Sequence, residues 1–220
     1  MVFDKKDSVV LSTYKEQAYK LIKEAIIFQH LKPNQLYSQE EICNELGISR
    51  TPVREALLEL QRERYICFCR GRGINVLPIT EEEAKSILEM RICNEKFGVR
   101  LAAQRASVEQ ITRMEQLLDK AMRIRNSGKT RELYQLDRDY HSAIIEASQN
   151  EWLQRTVDNL RDHFLRYENQ IAYDAEVSSG RVLNEHKRIL QSIKEGNPDE
   201  AEAAMESHLY EACDRTKYLG

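Results

Sequence analysis

Glycine and proline are scarce in this chain, eight and four in 220 residues. That scarcity disfavours many short strands joined by tight turns and favours long helices. No apolar run approaches the ~18 residues that a membrane span requires, so no membrane-embedded role is expected. The opening stretch, Met1 to Ser8, is polar and charged and lacks the apolar core of a secretory signal. The five cysteines, Cys43, Cys67, Cys69, Cys93 and Cys213, are an odd number without a paired framework. Reduced thiols in a cytoplasmic protein are the expectation. Cys67 and Cys69 fall on one face of a strand, but no second cysteine pair completes a zinc site. A strong charge imbalance is missing as well: the net charge is −3, which at first argues against nucleic acid as a partner.

The distribution of charge reverses that first impression. Residues 1–78 carry 12 Lys and Arg against 10 Asp and Glu, whereas residues 79–220 carry 21 against 26. Six arginines, at 50, 54, 62, 64, 70 and 72, fall in one short segment that holds only three glutamates, Glu55, Glu59 and Glu63. Positive charge is thus concentrated in the first third, and the acidic remainder is a poor nucleic-acid surface. A composition of 41% apolar and 31% charged residues is that of a soluble globular chain, and the length suits two domains.

Helical spacing of Ala18, Leu21, Ile22, Ala25 and Ile26 predicts a first helix over about residues 12–30. After the turn at Lys32-Pro33-Asn34, Ser38 and Glu41 form a capping box that opens a short helix ending near Gly47. Thr51-Pro52 then reads as an N-cap with proline at the first helical position, followed by the stripe Val53, Ala56, Leu57 and Leu60. Tyr65 to Cys69 and Ile74 to Leu77 read as strands around the tight turn Arg70-Gly71-Arg72-Gly73. From Thr80 onward only helices are expected, over about 81–105, 108–125, 130–147, 151–172, 181–195 and 198–217. Thr80/Glu83 and Ser107/Gln110 are capping boxes for the first two. The fourth carries the stripe Leu153, Val157, Leu160, Phe164, Tyr167 and Ile171, and Val177 to Gly180 is expected to be a loop. The fold class is therefore mainly α. A winged helix-turn-helix over 1–78 precedes an antiparallel all-helical bundle over 79–220, with the boundary near Leu77–Thr80.

A helix docks in the major groove with its N-terminal side chains on base edges. Arg50 and Arg54 are four apart on one face of the candidate recognition helix, and the arginine fork matches guanine O6 and N7. Ser49 and Thr51 at the helix N-terminus suit phosphate. The cationic tip Arg70-Gly71-Arg72 suits a wing laid on the DNA backbone or in the minor groove. A merely solvated charged helix beside a charged hairpin would not need this order of elements.

Residues 12–78 resemble the winged helix of the GntR transcription regulators, with Ile48-Ser49-Arg50-Thr51-Pro52-Val53-Arg54-Glu55-Ala56-Leu57 close to the family signature. Residues 80–210 resemble the FCD effector domain of the FadR subfamily. The six-helix form, without a seventh, is more similar to the VanR-type branch. The resemblance implies that Arg50, Thr51, Arg54 and the Gly71 wing tip touch operator DNA. Some members place an arginine early in the second helix where this chain has Glu40, which is therefore left out of the expected site.

The second domain carries its own signal. Asp137 and His141 are i and i+4 on a helix face with Leu133, Tyr140 and Ile144. His186 replaces a hydrophobe between Leu183 and Ile189, and His208 does so beside Ala204, Met205 and Ala212. A lone histidine on such a face is usually a satisfied core residue. Three, with a carboxylate, are more economically explained by a shared cation. The resemblance places Asp137, His141, His186 and His208 at FCD metal-ligand positions, which implies zinc, nickel or a related divalent ion; His30 and His163 match none. It also puts Arg91 at an effector-facing position, with Arg161 a weaker candidate of the same kind. The other reading of Arg91 is a surface pair with Glu95 at i, i+4.

The expectation is a homodimeric regulator, since helix-turn-helix proteins read paired half-sites of double-stranded operator DNA, controlled by a small organic acid at the metal. The alternatives are a metal-sensing regulator and a metalloenzyme using the Asp/His cluster.

Overall fold

A computed structural model describes residues 12–170 and 175–217. The chain divides into two compact units, Met1–Pro78 and Ile79–Gly220. Met1 to Ser8 and Ile171 lie outside the described residues, and so does the side chain of Cys213.

The first unit contains α1 (Tyr14–Ile27), β1 (Leu36–Tyr37), α2 (Gln39–Leu46), α3 (Arg50–Arg62), β2 (Ile66–Cys69) and β3 (Gly73–Val76). Capping boxes start α1 and α2: Thr13 with Glu16, and Ser38 with Glu41. Gly47 closes α2 in the left-handed conformation, φ 64°, which glycine adopts without a Cβ penalty. Ala18, Ile22 and Ile26 of α1 meet Val53, Ala56, Leu57 and Leu60 of α3 in a dry core floored by Ile66, Ile74 and Val76.

The strands form one antiparallel sheet in the order β1-β3-β2. Sequence periodicity misses β1, because two residues are too few to show an alternation. Its crossing beside the hairpin fixes one position. At Gly73, φ 104°, a Cβ would fall 2.1 Å from the Tyr37 carbonyl oxygen, so only glycine fits.

Two local expectations are corrected. Ser49, not Thr51, is the N-cap of α3, which leaves Pro52 as its third residue. Proline is tolerated there because the N–H groups of the first helical turn lack intrahelical partners anyway. Residues 177–180 are helical, not a loop, since α8 begins at Ala175. Ser178, Ser179 and Gly180 are weak helix formers but not breakers, and one interior glycine costs only ~1 kcal/mol relative to alanine.

The second unit is all helical: α4 (Glu81–Arg105), α5 (Val108–Ile124), α6 (Thr130–Ala147), α7 (Glu151–Gln170), α8 (Ala175–Lys194) and α9 (Pro198–Lys217). The long α4 packs against α6, α7, α8 and α9. A core including Val99, Met114, Ile144, Phe164, Ile189 and Leu209 closes one side of a polar centre. No described helix is long and apolar enough to cross a membrane.

Candidate functional site

In the first unit, Arg50, Thr51 and Arg54 at the start of α3 share one groove with Arg70, Gly71 and Arg72 of the hairpin turn. All six are solvent-exposed, as is Ser49, which does not line the groove itself. The buried stripe of α3 faces the opposite way, so the fold presents the arginines because it hides the leucines. Glu40 also lines this groove and leans on Arg50 at 3.3 Å. It therefore balances part of the charge on the face from which the sequence reading excluded it.

In the second unit, the ligand atoms of His141 (α6), His186 (α8) and His208 (α9) all lie within 4.8 Å of one another. The three side chains are 1–4% exposed. His141 Nδ1 lies 2.7 Å from the Glu95 carboxylate, and His208 Nδ1 lies 2.8 Å from that of Glu185. A carboxylate accepts, so each Nδ1 carries the proton and each Nε2 presents a lone pair. Yet those two Nε2 atoms face each other at 3.2 Å, and His141 Nε2 is also 3.2 Å from His186 Nε2. Two lone pairs held that close, away from water, need a proton or a metal ion between them. The spacing matches imidazoles that share a metal through bonds of ~2.0–2.1 Å. Carboxylates behind the imidazoles are the usual support of such a ligand set. The donor set thus fits a divalent ion.

His186 stacks on Tyr140, with centroids 4.6 Å apart, and the Tyr140 hydroxyl donates to the His186 carbonyl at 2.8 Å. Burial pushes the His186 pKa down to about 3, so its imidazole is neutral at ordinary pH. Asp137 sits at the rim of the cluster. Its Oδ1 is 3.5 Å from His186 Nε2, while its Oδ2 accepts from Arg161 at 2.8 Å. Burial works to raise the Asp137 pKa, but the Arg161 guanidinium beside it outweighs burial and holds the carboxyl below its usual range.

Arg161 is 7% exposed, and its Nε and Nη1 are buried without a hydrogen-bond partner. Both Arg161 and Arg91 line a cavity of about 130 Å³ together with Asp137 and the three histidines. Arg91 lies 4.8 Å over the Phe164 ring and donates to Glu95 at 2.8 Å. The two sequence readings of Arg91 therefore merge. It pairs with Glu95, but the pair is buried rather than on the surface, because the same glutamate also holds His141.

Sequence reasoning missed Glu95 and Glu185. Glu95 showed itself only as a partner of Arg91, and Glu185 precedes His186 with no spacing that marks it. His30 and His163 stand apart from the cluster.

Comparison with known proteins agrees with this layout. Residues 14–76 match the model of the bacterial regulatory proteins of the gntR family, and residues 86–211 match the FCD domain. The Nta operon transcriptional regulator of Aminobacter aminovorans is 28% identical over 189 residues, 84% of this chain and 86% of its own. The HTH-type transcriptional regulator YdhC of Bacillus subtilis is 25% identical over 94% of this chain and 92% of its own. Among solved structures, McbR/YncC of E. coli superposes with a TM-score of 0.85 at 18% identity, covering 94% of this chain and 99% of that one, which shows the shared fold. The chain belongs to the GntR family of transcription regulators and carries an FCD domain. It is a DNA-binding regulator, not an enzyme.

Proposed function

We propose that this regulator binds operator DNA as a homodimer, with residues 1–78 on the DNA and residues 79–220 as the sensor. Arg50 and Arg54 read base edges, Ser49 and Thr51 hold phosphate, and Arg70, Gly71 and Arg72 form the wing. Asp137, His141, His186 and His208 hold a divalent ion, zinc or nickel by their donor chemistry. A small carboxylate binds beside it on Arg161 and Arg91. The observation that carries this reading is the meeting of opposed Nε2 lone pairs and orphaned Arg161 donors in one cavity. The ion supplies a fixed positive charge and coordination positions that an anion can share.

Regulation requires that the ligand prefer one packing of the bundle over another. The site draws on α4, α6, α7, α8 and α9, so an occupant touches most of the bundle at once. Coupling of ~1–3 kcal/mol changes operator affinity about 5–150-fold.

The test uses operator DNA selected from a random pool, with metal-loaded and chelated protein. Elemental analysis should find about one divalent ion per chain. Replacing His186 and His208 together by alanine should remove it. An ion held at a hundred times its Kd stabilises the fold by about 2.7 kcal/mol, and that increment should vanish with the ion. Equal metal in both proteins would remove the histidine site. The second reading, a metal sensor, rests on the same lone pairs. It gains if metal alone shifts operator affinity and no carboxylate adds to the shift.

A further inference from the structure

The sensor cavity has apolar walls as well as polar ones. Leu117 and Ala121 of α5, Leu133 of α6, Leu165 of α7 and Leu183 of α8 form the apolar walls, with the Phe164 ring beside Arg91. The charged lining residues cancel: Arg91, Arg138 and Arg161 stand against Asp137, Asp162 and Glu168. Arg161 pairs with Asp137, and Arg138 with Asp162. Glu95 and Glu185 behind the imidazoles add two carboxylates, which a divalent ion offsets, so no surplus positive charge is left for a polyanion.

From this lining we infer that the effector is an amphiphilic monocarboxylate whose body is apolar, either a medium-length chain or an aromatic ring. This rests on the carboxylate reading of the site given above. The head takes the orphaned Nε and Nη1 of Arg161 next to the metal position, and the body packs on the leucines of the lining. Size follows from volume. A cavity of about 130 Å³ is of the order of the ~150 Å³ apolar cavity that holds benzene, so the body is a single ring or a chain of similar bulk. Phenylacetate carries such a ring, and the acids from butanoate to octanoate bracket that bulk. A tricarboxylate brings three negative charges to lining charges that already balance. A sugar acid brings hydroxyls that the leucines cannot satisfy, each costing roughly 5–150-fold in affinity.

The experiment is calorimetry on the full-length, zinc-loaded chain with acetate, butanoate, octanoate, phenylacetate, citrate and octan-1-ol. Affinity should rise about fourfold per methylene from butanoate to octanoate. Octanoate and phenylacetate should bind at least a hundredfold more tightly than acetate or citrate, and octan-1-ol should bind far more weakly than octanoate. Ala121→Phe, which fills part of the apolar wall, should weaken octanoate at least tenfold more than it weakens acetate. The ligand series on the unaltered chain decides the matter even if that variant fails to fold. Citrate binding more tightly than octanoate, or a flat dependence on chain length, would overturn the apolar body while leaving the carboxylate site intact. If none of the acids binds, or if Arg161→Gln leaves octanoate binding unchanged, the carboxylate site itself falls and the inference with it.

Discussion

Arg50 on α3 is 73% exposed and leans on Glu40, itself 70% exposed. Arg91 on α4 is 7% exposed and pairs with Glu95, which is fully buried. The residues involved are the same types, yet the pairs do opposite things. An exposed pair contributes ~0–1 kcal/mol and is easily released, so Arg50 can leave Glu40 for a nucleic acid at little cost. A buried pair cannot be released, because either partner left alone is an uncompensated charge out of water. Every buried polar or charged residue among the described residues, Glu95 and the three histidines included, belongs to the second unit. The first unit keeps its charge on the outside of an apolar core. The second builds charge into the core, so under the proposed function its stability and its function are bound together.

The largest expected effect breaks the buried pair. Glu95→Gln leaves Arg91 and His141 without their carboxylate and should cost about 3–5 kcal/mol of unfolding free energy. Metal affinity should fall about 10–100-fold, as when the outer support of a ligand is lost. Glu40→Gln, the matching change in the first unit, should stay within about 0.5 kcal/mol of the unaltered protein. Chemical denaturation of the two variants side by side checks the contrast. If both lose the same stability, burial does not separate the pairs.

Arg54→Ala sharpens the comparison from the other side. Loss of a bidentate base contact should weaken specific operator binding by ~1–3 kcal/mol and relax one operator position. Because Arg54 is exposed, the unfolding free energy should stay within about 0.5 kcal/mol. Fluorescence anisotropy on operator and scrambled duplexes measures the first quantity and denaturation the second. A large loss of stability would make Arg54 a structural residue.

The same contrast explains what was legible in the sequence. Helix starts were readable because Ser38/Glu41, Thr80/Glu83 and Ser107/Gln110 carry local chemistry within four residues. The three histidines stood out because a polar ring on an apolar stripe is anomalous. Glu95 and Glu185 did not, since carboxylates are common on helices and nothing local says that one is buried. Their role depends on α4 and α8 each meeting a histidine from another helix, at sequence separations of 46 and 23. The stretch at 177–180 was misread because Ser-Ser-Gly weakens a helix without ending one. The apolar lining of the cavity has residues from several helices and no linear pattern at all.

The smallest expected effect concerns where the chain enters the second unit. Ile79, the first residue of that unit, is gripped on both sides by one side chain. Its N–H donates to Gln170 Oε1 at 3.1 Å, and its carbonyl accepts from Gln170 Nε2 at 3.0 Å. Gln170 is the last residue of α7, the helix that also carries Arg161 and Phe164. A ligand that displaces α7 by acting on Arg161 therefore moves the atoms that anchor Ile79, and with them the point where residue 78 joins. Coupling travels through contiguous packed elements of this kind, and residues that touch neither ligand modulate it by ~0.5–2 kcal/mol. Gln170→Ala should leave operator affinity without ligand and carboxylate affinity without DNA each within about twofold. The factor by which one changes the other should shrink about 2–30-fold, the equivalent of that coupling energy. The measurement is a titration of metal-loaded protein with octanoate, with and without saturating operator, in both proteins. An unchanged factor with both affinities intact would show that the sensor acts on the DNA-binding unit by a route that does not pass through the Gln170–Ile79 clamp.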